Sequence, residues 1–178
     1  MFFINPFIYA AGGDFESIAT VTVGSGGASS IEFTSIPQTY QHLQIRSVSR
    51  CSDTAAVDAA VVLQINGVSV ERTHGLFGSG SAAGAFSGTS GYAMNTLGTN
   101  ALANAFAASI IDILDYASTS KNKTIRAFNG YDVSGSGGYI FVYSSLRVTT
   151  AAVTSIRLSG GWNWLQHTTF ALYGIKAP

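Results

Sequence analysis

Phe15–Arg50 reads FESIATVTVGSGGASSIEFTSIPQTYQHLQIRSVSR. In the first part, Phe15, Ser17, Ala19, Val21 and Val23 fall on one face of an extended segment. A Gly/Ser turn over Gly24–Ser30 follows. Ile31, Phe33 and Ile36 mark a second segment, which Pro37 ends. In a third, Leu43 and Ile45 alternate with His42, Gln44 and Arg46. Alternation at period two, interrupted by Gly, Ser and Pro, is the pattern of half-buried antiparallel strands. The stretch therefore predicts three consecutive β-strands. It carries no reaction chemistry.

The rest of the chain continues the pattern. Val61–Ile65 and Val68–Arg72 flank Asn66-Gly67, the strongest hairpin signal present, because both central positions of a type I′ turn need positive φ. Gly75 to about Asn104 is rich in Gly, Ser and Ala and reads as a long excursion of the kind that is functional or covered by a partner. A short helical turn is expected over Leu102–Ala107. Strands are expected over Ala107–Leu114, Thr124–Phe128, Tyr139–Val148, Val153–Leu158 and Trp164–Ile175. The turns between them fall at Lys121–Lys123 (exposed), Asn129-Gly130, Gly135–Gly138 and Gly160-Gly161. Roughly nine or ten strands at regular spacing, with almost no helix pattern, predict an all-β, antiparallel β-sandwich. Eight or more strands with long cross-connections favour a jelly-roll-like version. We expect one sandwich domain over residues 14–178, preceded by an arm over residues 1–13.

That arm, MFFINPFIYAAGG, has no positive n-region and is interrupted by Pro6, so it does not read as a signal peptide. Phe2, Phe3, Ile4, Phe7, Ile8 and Tyr9 need cover. They are the candidate assembly contacts, packing back on the domain or docking on a neighbour. Of 178 residues, 47% are apolar and only 10% charged, against about a quarter charged in ordinary soluble domains. Two readings stay open: a surface covered by other subunits, or one kept wet by uncharged polar residues. The net charge is zero and no basic patch is visible, which argues against nucleic acid as a partner. Cys51 is the single cysteine, so no disulfide and no thiolate metal cluster is expected.

Few residue pairs invite a chemical reading. His74 lies three residues after Glu71, and residues three apart on a strand face opposite ways. Asp112 and Asp115, a conceivable glycosidase pair, meet the same objection. Asp112 reads instead as the partner of an arginine (Arg126, Arg147 or Arg157) or as an interface residue. No cofactor, metal or catalytic residue is expected. Trp162, Trp164 and Tyr92 are candidate ligand or interface aromatics. The bland reading for such stripes, and for Tyr139, Phe141 and Tyr143, is a sandwich core.

Two segments carry a resemblance. One is Ile31-x-Phe33-x-Ser35-Ile36-Pro37-x-Thr39-Tyr40-x-His42-Leu43-x-Ile45-Arg46, preceded by ESIAT. The other is Phe170-x-Leu172-Tyr173-Gly174-Ile175. Together they resemble a group of small structural proteins of tailed bacteriophages and cyanophages, over about a third of the chain. The resemblance implies a non-enzymatic virion component with a jelly-roll-like sandwich. The first expectation is a capsid decoration (cement) protein attached through its N-terminal arm. The alternative is a tail fibre or receptor-binding component recognising a host-surface glycan. Expected partners are major capsid or tail proteins and further copies of the chain, as a trimer, with no nucleic acid and no membrane. The expected location is the virion, assembled in the host cytoplasm.

Overall fold

The computed structural model describes residues 14–133 and 137–177. The arm over Met1–Gly13 and residues 134–136, which include the first half of the Gly135–Gly138 turn, lie outside them. Thirteen strands follow one another among the described residues. They are β1 (Phe15–Thr22), β2 (Ala28–Phe33), β3 (His42–Ser49), β4 (Asp58–Ile65), β5 (Val68–Ser69), β6 (Arg72–Ser79), β7 (Ala83–Gly88), β8 (Tyr92–Leu97), β9 (Ala107–Leu114), β10 (Lys123–Asp132), β11 (Gly138–Arg147), β12 (Ile156–Trp164) and β13 (Thr169–Ile175).

Eight of these make the jelly-roll-like frame. The four-strand order β1-β13-β3-β9 belongs to one sheet, and β2-β12-β4 with β8 on the far side of β4 makes the other. Paired strands in both sheets run antiparallel, and the chain changes sheet at each step of the frame except from β4 to β8. Two insertions enlarge the first sheet. Strands β6 and β7 come from the β4–β8 connection, and β10 and β11 from the β9–β12 connection, giving β1-β13-β3-β9-β10-β11-β6-β7.

The core lies between the sheets and follows the alternation. In β3, Leu43 and Ile45 are buried; in β4, Val61, Leu63 and Ile65; in β13, Phe170 and Leu172. The Asn66-Gly67 turn has φ of 50° and 80°, as the type I′ reading requires. The two segments of the resemblance pack together: the Tyr40 ring lies so close over Gly174 that a Cβ there would come within 2.3 Å of it. The corner before Tyr40 is held by the Tyr116 hydroxyl, which donates to the Pro37 carbonyl.

Five local expectations are corrected. The Gly75–Asn104 excursion is mostly strand: it holds most of β6 and all of β7 and β8. Gly75 pairs with Phe86 and Phe77 with Gly84 across β6 and β7, and each ring covers the glycine opposite it. The glycines thus serve cross-strand packing. Asn129-Gly130 does not turn, because β10 runs straight through it. Asn129 is fully buried; its side-chain oxygen accepts from Asn95 N (3.3 Å) and its Nδ2 donates to Asn95 O (3.1 Å), tying β10 to β8. Gly160-Gly161 lies inside β12, where the register against β2 shifts between Ser159 and Trp164, and residues 165–168 separate β12 from β13. Leu102–Ala107 forms no helix; the carbonyls of Ala101, Leu102 and Ala105 instead accept from the Arg50 guanidinium. Lys123 is buried rather than exposed. Its ammonium donates to the carbonyls of Ser118, Lys121 (3.0 Å) and Thr150 (3.4 Å), and burial pulls its pKa below the usual lysine range.

Candidate functional site

The insertions give the larger sheet a broad outer face, and the register organises that face into rows. Ile110, Phe128, Val142 and Leu76 stand directly opposite one another across β9, β10, β11 and β6. One step along the strands, Val48, Ala108, Gly130, Ile140 and Gly78 form the next row. All six large side chains, Val48, Leu76, Ile110, Phe128, Ile140 and Val142, are 41–60% exposed. In the other direction the band is bordered by a polar row of Gln44, Asp112, Arg126, Ser144 and His74. There Asp112 accepts from Gln44 Nε2 (2.8 Å) and pairs with Arg126 (3.3 Å).

A contiguous apolar band of this kind on a sheet face marks an interaction surface. Covering the exposed half of each of the six side chains would contribute about 1 kcal/mol apiece, roughly 6 kcal/mol together. Sequence reasoning missed these residues. The available signal was Tyr139–Val142, four large apolar residues in succession, the pattern of a strand covered on both faces. The stripe of Tyr139, Phe141 and Tyr143 absorbed that signal, and it packs inward among Phe77, Phe86 and Tyr131.

The expected candidates fall in different places. Phe2, Phe3, Ile4, Phe7, Ile8 and Tyr9 lie outside the described residues. Trp164 is withdrawn as a ligand residue: it is fully buried, set edge-on to Phe170 at 4.9 Å, with Nε1 donating to Leu158 O at 3.3 Å. Trp162 is partly exposed and Tyr92 is 39% exposed, and β12 and β8 bring these two to one groove on the outer face of the smaller sheet. Asp115 accepts from Lys121 Nζ at 2.6 Å, which holds its carboxyl below the ordinary range. Glu71 pairs with Arg147. No group of three or more His, Cys, Asp or Glu side chains converges among the described residues.

Cys51 is fully buried, and desolvation pushes its thiol up from 9.0 to about 11. Native protein at neutral pH should therefore resist thiol-specific labelling, whereas urea-unfolded protein labels quickly. The folded pKa is raised, so the stability tied to the neutral thiol is present below about pH 9. It is lost as pH rises through about 11. Rapid labelling of the folded protein would contradict this burial.

Fold and surface together define a jelly-roll-like β-sandwich whose enlarged sheet carries an apolar face that no other described residue covers. Comparison with protein-family models, with curated proteins and with solved structures finds no match for the chain.

Proposed function

We propose that the chain is a non-enzymatic structural subunit of a tailed-phage virion, in the first place a capsid decoration protein. The apolar band across β9, β10, β11 and β6 carries this reading, because a surface of that kind calls for a permanent neighbour. The low charge content, the sandwich frame and the resemblance of the two terminal segments support it. The start of β1 lies near the band. Phe15, where β1 begins, is exposed, and the Arg46 guanidinium stands 5.2 Å from the ring centres of both Phe15 and Tyr173. Arg46 in turn lies opposite Ile110 at the start of the band. Arm and band would then grip adjoining subunits together, acting through buried apolar area.

The test is immunogold labelling of intact virions, combined with deletion of Met1–Gly13. Label spread over the head is expected. The deleted protein is expected to keep its melting temperature and to lose attachment to particles. Label confined to the tail tip would move the assignment to a tail component. Normal decoration by the deleted protein would remove the arm from the mechanism.

A further inference from the structure

The outer face of the smaller sheet holds a different kind of surface. A groove of about 700 Å³ crosses β12, β4 and β8, where Ser159, Val62 and Tyr92 stand in register. Its floor is small: Ala60, Ser159, Gly160 and Gly161 line it. Trp162 and Tyr92 flank it, and Asp53 and Asp58 supply its charged groups, with no lysine or arginine along it. Beyond Trp162 it continues into a second hollow of about 590 Å³ that shares Ser52, Ser159, Gly160 and Gly161 and is also lined by Arg157.

The aromatic groups are held in place before any ligand arrives. The Trp162 ring lies on Gly160, where a Cβ would come within 2.2 Å of it. It stands at 84° to the buried Trp164 ring, with 4.6 Å between centres. The backbone beside it is clamped, with Ser52 N donating to Asn163 O (2.8 Å) and Asn163 N donating to Ser52 Oγ (3.0 Å). Tyr92 follows Gly91 at φ +77°, and its carbonyl accepts from Thr73 Oγ1 (2.8 Å) and Ser145 Oγ (3.3 Å). The carboxylates are oriented too. Asp58 accepts from Asn95 Nδ2, whose own Oδ1 accepts from the Tyr143 hydroxyl. Asp53 Oδ1 accepts from Ala55 N at 2.7 Å.

An ionised carboxylate has about four acceptor sites, so both aspartates keep capacity for incoming donors. A flat indole beside fixed acceptors, over a floor of small residues, suits a ligand that is apolar on one face and rich in hydroxyls at its rim. From this arrangement we infer that the groove binds a neutral hexopyranose unit of an oligosaccharide. The sugar ring stacks on Trp162, its hydroxyls donate to Asp58 and Asp53, and Tyr92 closes the side. Beside Trp162 and Tyr92 the two carboxylates stand without a cation and repel sialylated, uronate or phosphorylated sugars; Arg157, in the adjoining hollow, is paired with Glu32 at 3.1 Å. The inference is independent of the assembly reading, since it concerns the opposite face.

The test uses purified full-length protein, titrated with soluble glucose, galactose, mannose and N-acetylglucosamine oligosaccharides and with sialylated and uronate oligosaccharides. Tryptophan fluorescence and calorimetric heat are the readouts. At least one neutral oligosaccharide should bind and perturb tryptophan emission. Trp162→Ala should weaken binding about tenfold or more, close to 1.4 kcal/mol. Tyr92→Ala and Asp53→Asn, at positions outside the core, should weaken it with an unchanged melting temperature. They keep the test sharp if Trp162→Ala folds poorly. Absence of binding to every neutral sugar, stronger binding of the acidic ones, or binding that survives both Tyr92→Ala and Asp53→Asn overturns the inference. Because no virion is involved, the result is separable from the labelling experiment.

Discussion

Trp164→Ala is expected to remove about 4 kcal/mol of folding stability, near the top of the range for single core substitutions. The side chain is wholly buried and joins three parts of the sandwich. Its ring meets Phe170 of β13 at 4.9 Å and Trp162 of β12 at 4.6 Å. Its backbone bridges to Cys51, and its carbonyl lies where a Cβ on Gly27 would come within 2.9 Å. Alanine would leave a cavity that these fixed neighbours cannot close, and would leave the Leu158 carbonyl without its indole donor. For a domain of this size the loss corresponds to a fall of roughly 8–16 °C in melting temperature. Denaturant and thermal unfolding would measure it. A variant melting within two or three degrees of the wild type, on the order of 1 kcal/mol, would contradict the core assignment.

The second large effect is on assembly rather than stability. Phe128 and Val142 face each other across β10 and β11 at the centre of the apolar band, and both are about half exposed. The pair Phe128→Glu, Val142→Lys places opposite charges on directly paired positions, a cross-strand arrangement that sheets accept at little cost. The melting temperature should therefore stay close to wild type. Attachment to particles should fall by more than about tenfold, because docking would now bury two charges in an apolar contact. Occupancy on purified virions, or on particles lacking the protein and re-incubated with it, gives the answer. Wild-type occupancy by this double variant would mean that the band is not the docking surface. Single substitutions in the bordering row, such as Ser144→Lys, serve as a control for charge alone.

Strand positions and strand ends were not equally legible. The alternation over Leu43–Arg46 and the Asn66-Gly67 turn act within a few residues, and both predicted the local structure correctly. Gly75, Gly84, Gly130 and Gly160 read as loop or turn residues because glycine usually marks them. In the sandwich, the rings of Phe86 and Phe77, directly opposite across β6 and β7, lie over Gly75 and Gly84, the ring of Trp162 lies over Gly160, and the buried Asn129 side chain carries β10 through Gly130. Lys123 misled in a similar way. A lysine two residues after Lys121 reads as solvated, yet carbonyls from the β9–β10 connection (Ser118, Lys121) and from the β11–β12 connection (Thr150) enclose it.

The candidate surfaces show the same division. The sequence identified Trp162 and Tyr92 as aromatic residues worth following, and Trp164 with them, but period-two spacing makes Trp162 and Trp164 equivalent. The irregularity in β12 between Ser159 and Trp164 breaks that equivalence, burying one ring and leaving the other at the groove. By itself, the sequence determined the all-β class, the inward faces of strands such as β3 and the Asn66-Gly67 turn, because alternation and turn chemistry are local properties of the chain. Only the tertiary structure decided which insertion strands join which sheet, and therefore that Ile110, Phe128, Val142 and Leu76 line up in one exposed row. The consecutive strands β9, β10 and β11 supply three of these residues, but the row is completed and seated in the sheet by the pairing of β11 with β6 and of β9 with β3, strands far apart in the chain, where the energy comes from neighbours a local pattern does not name.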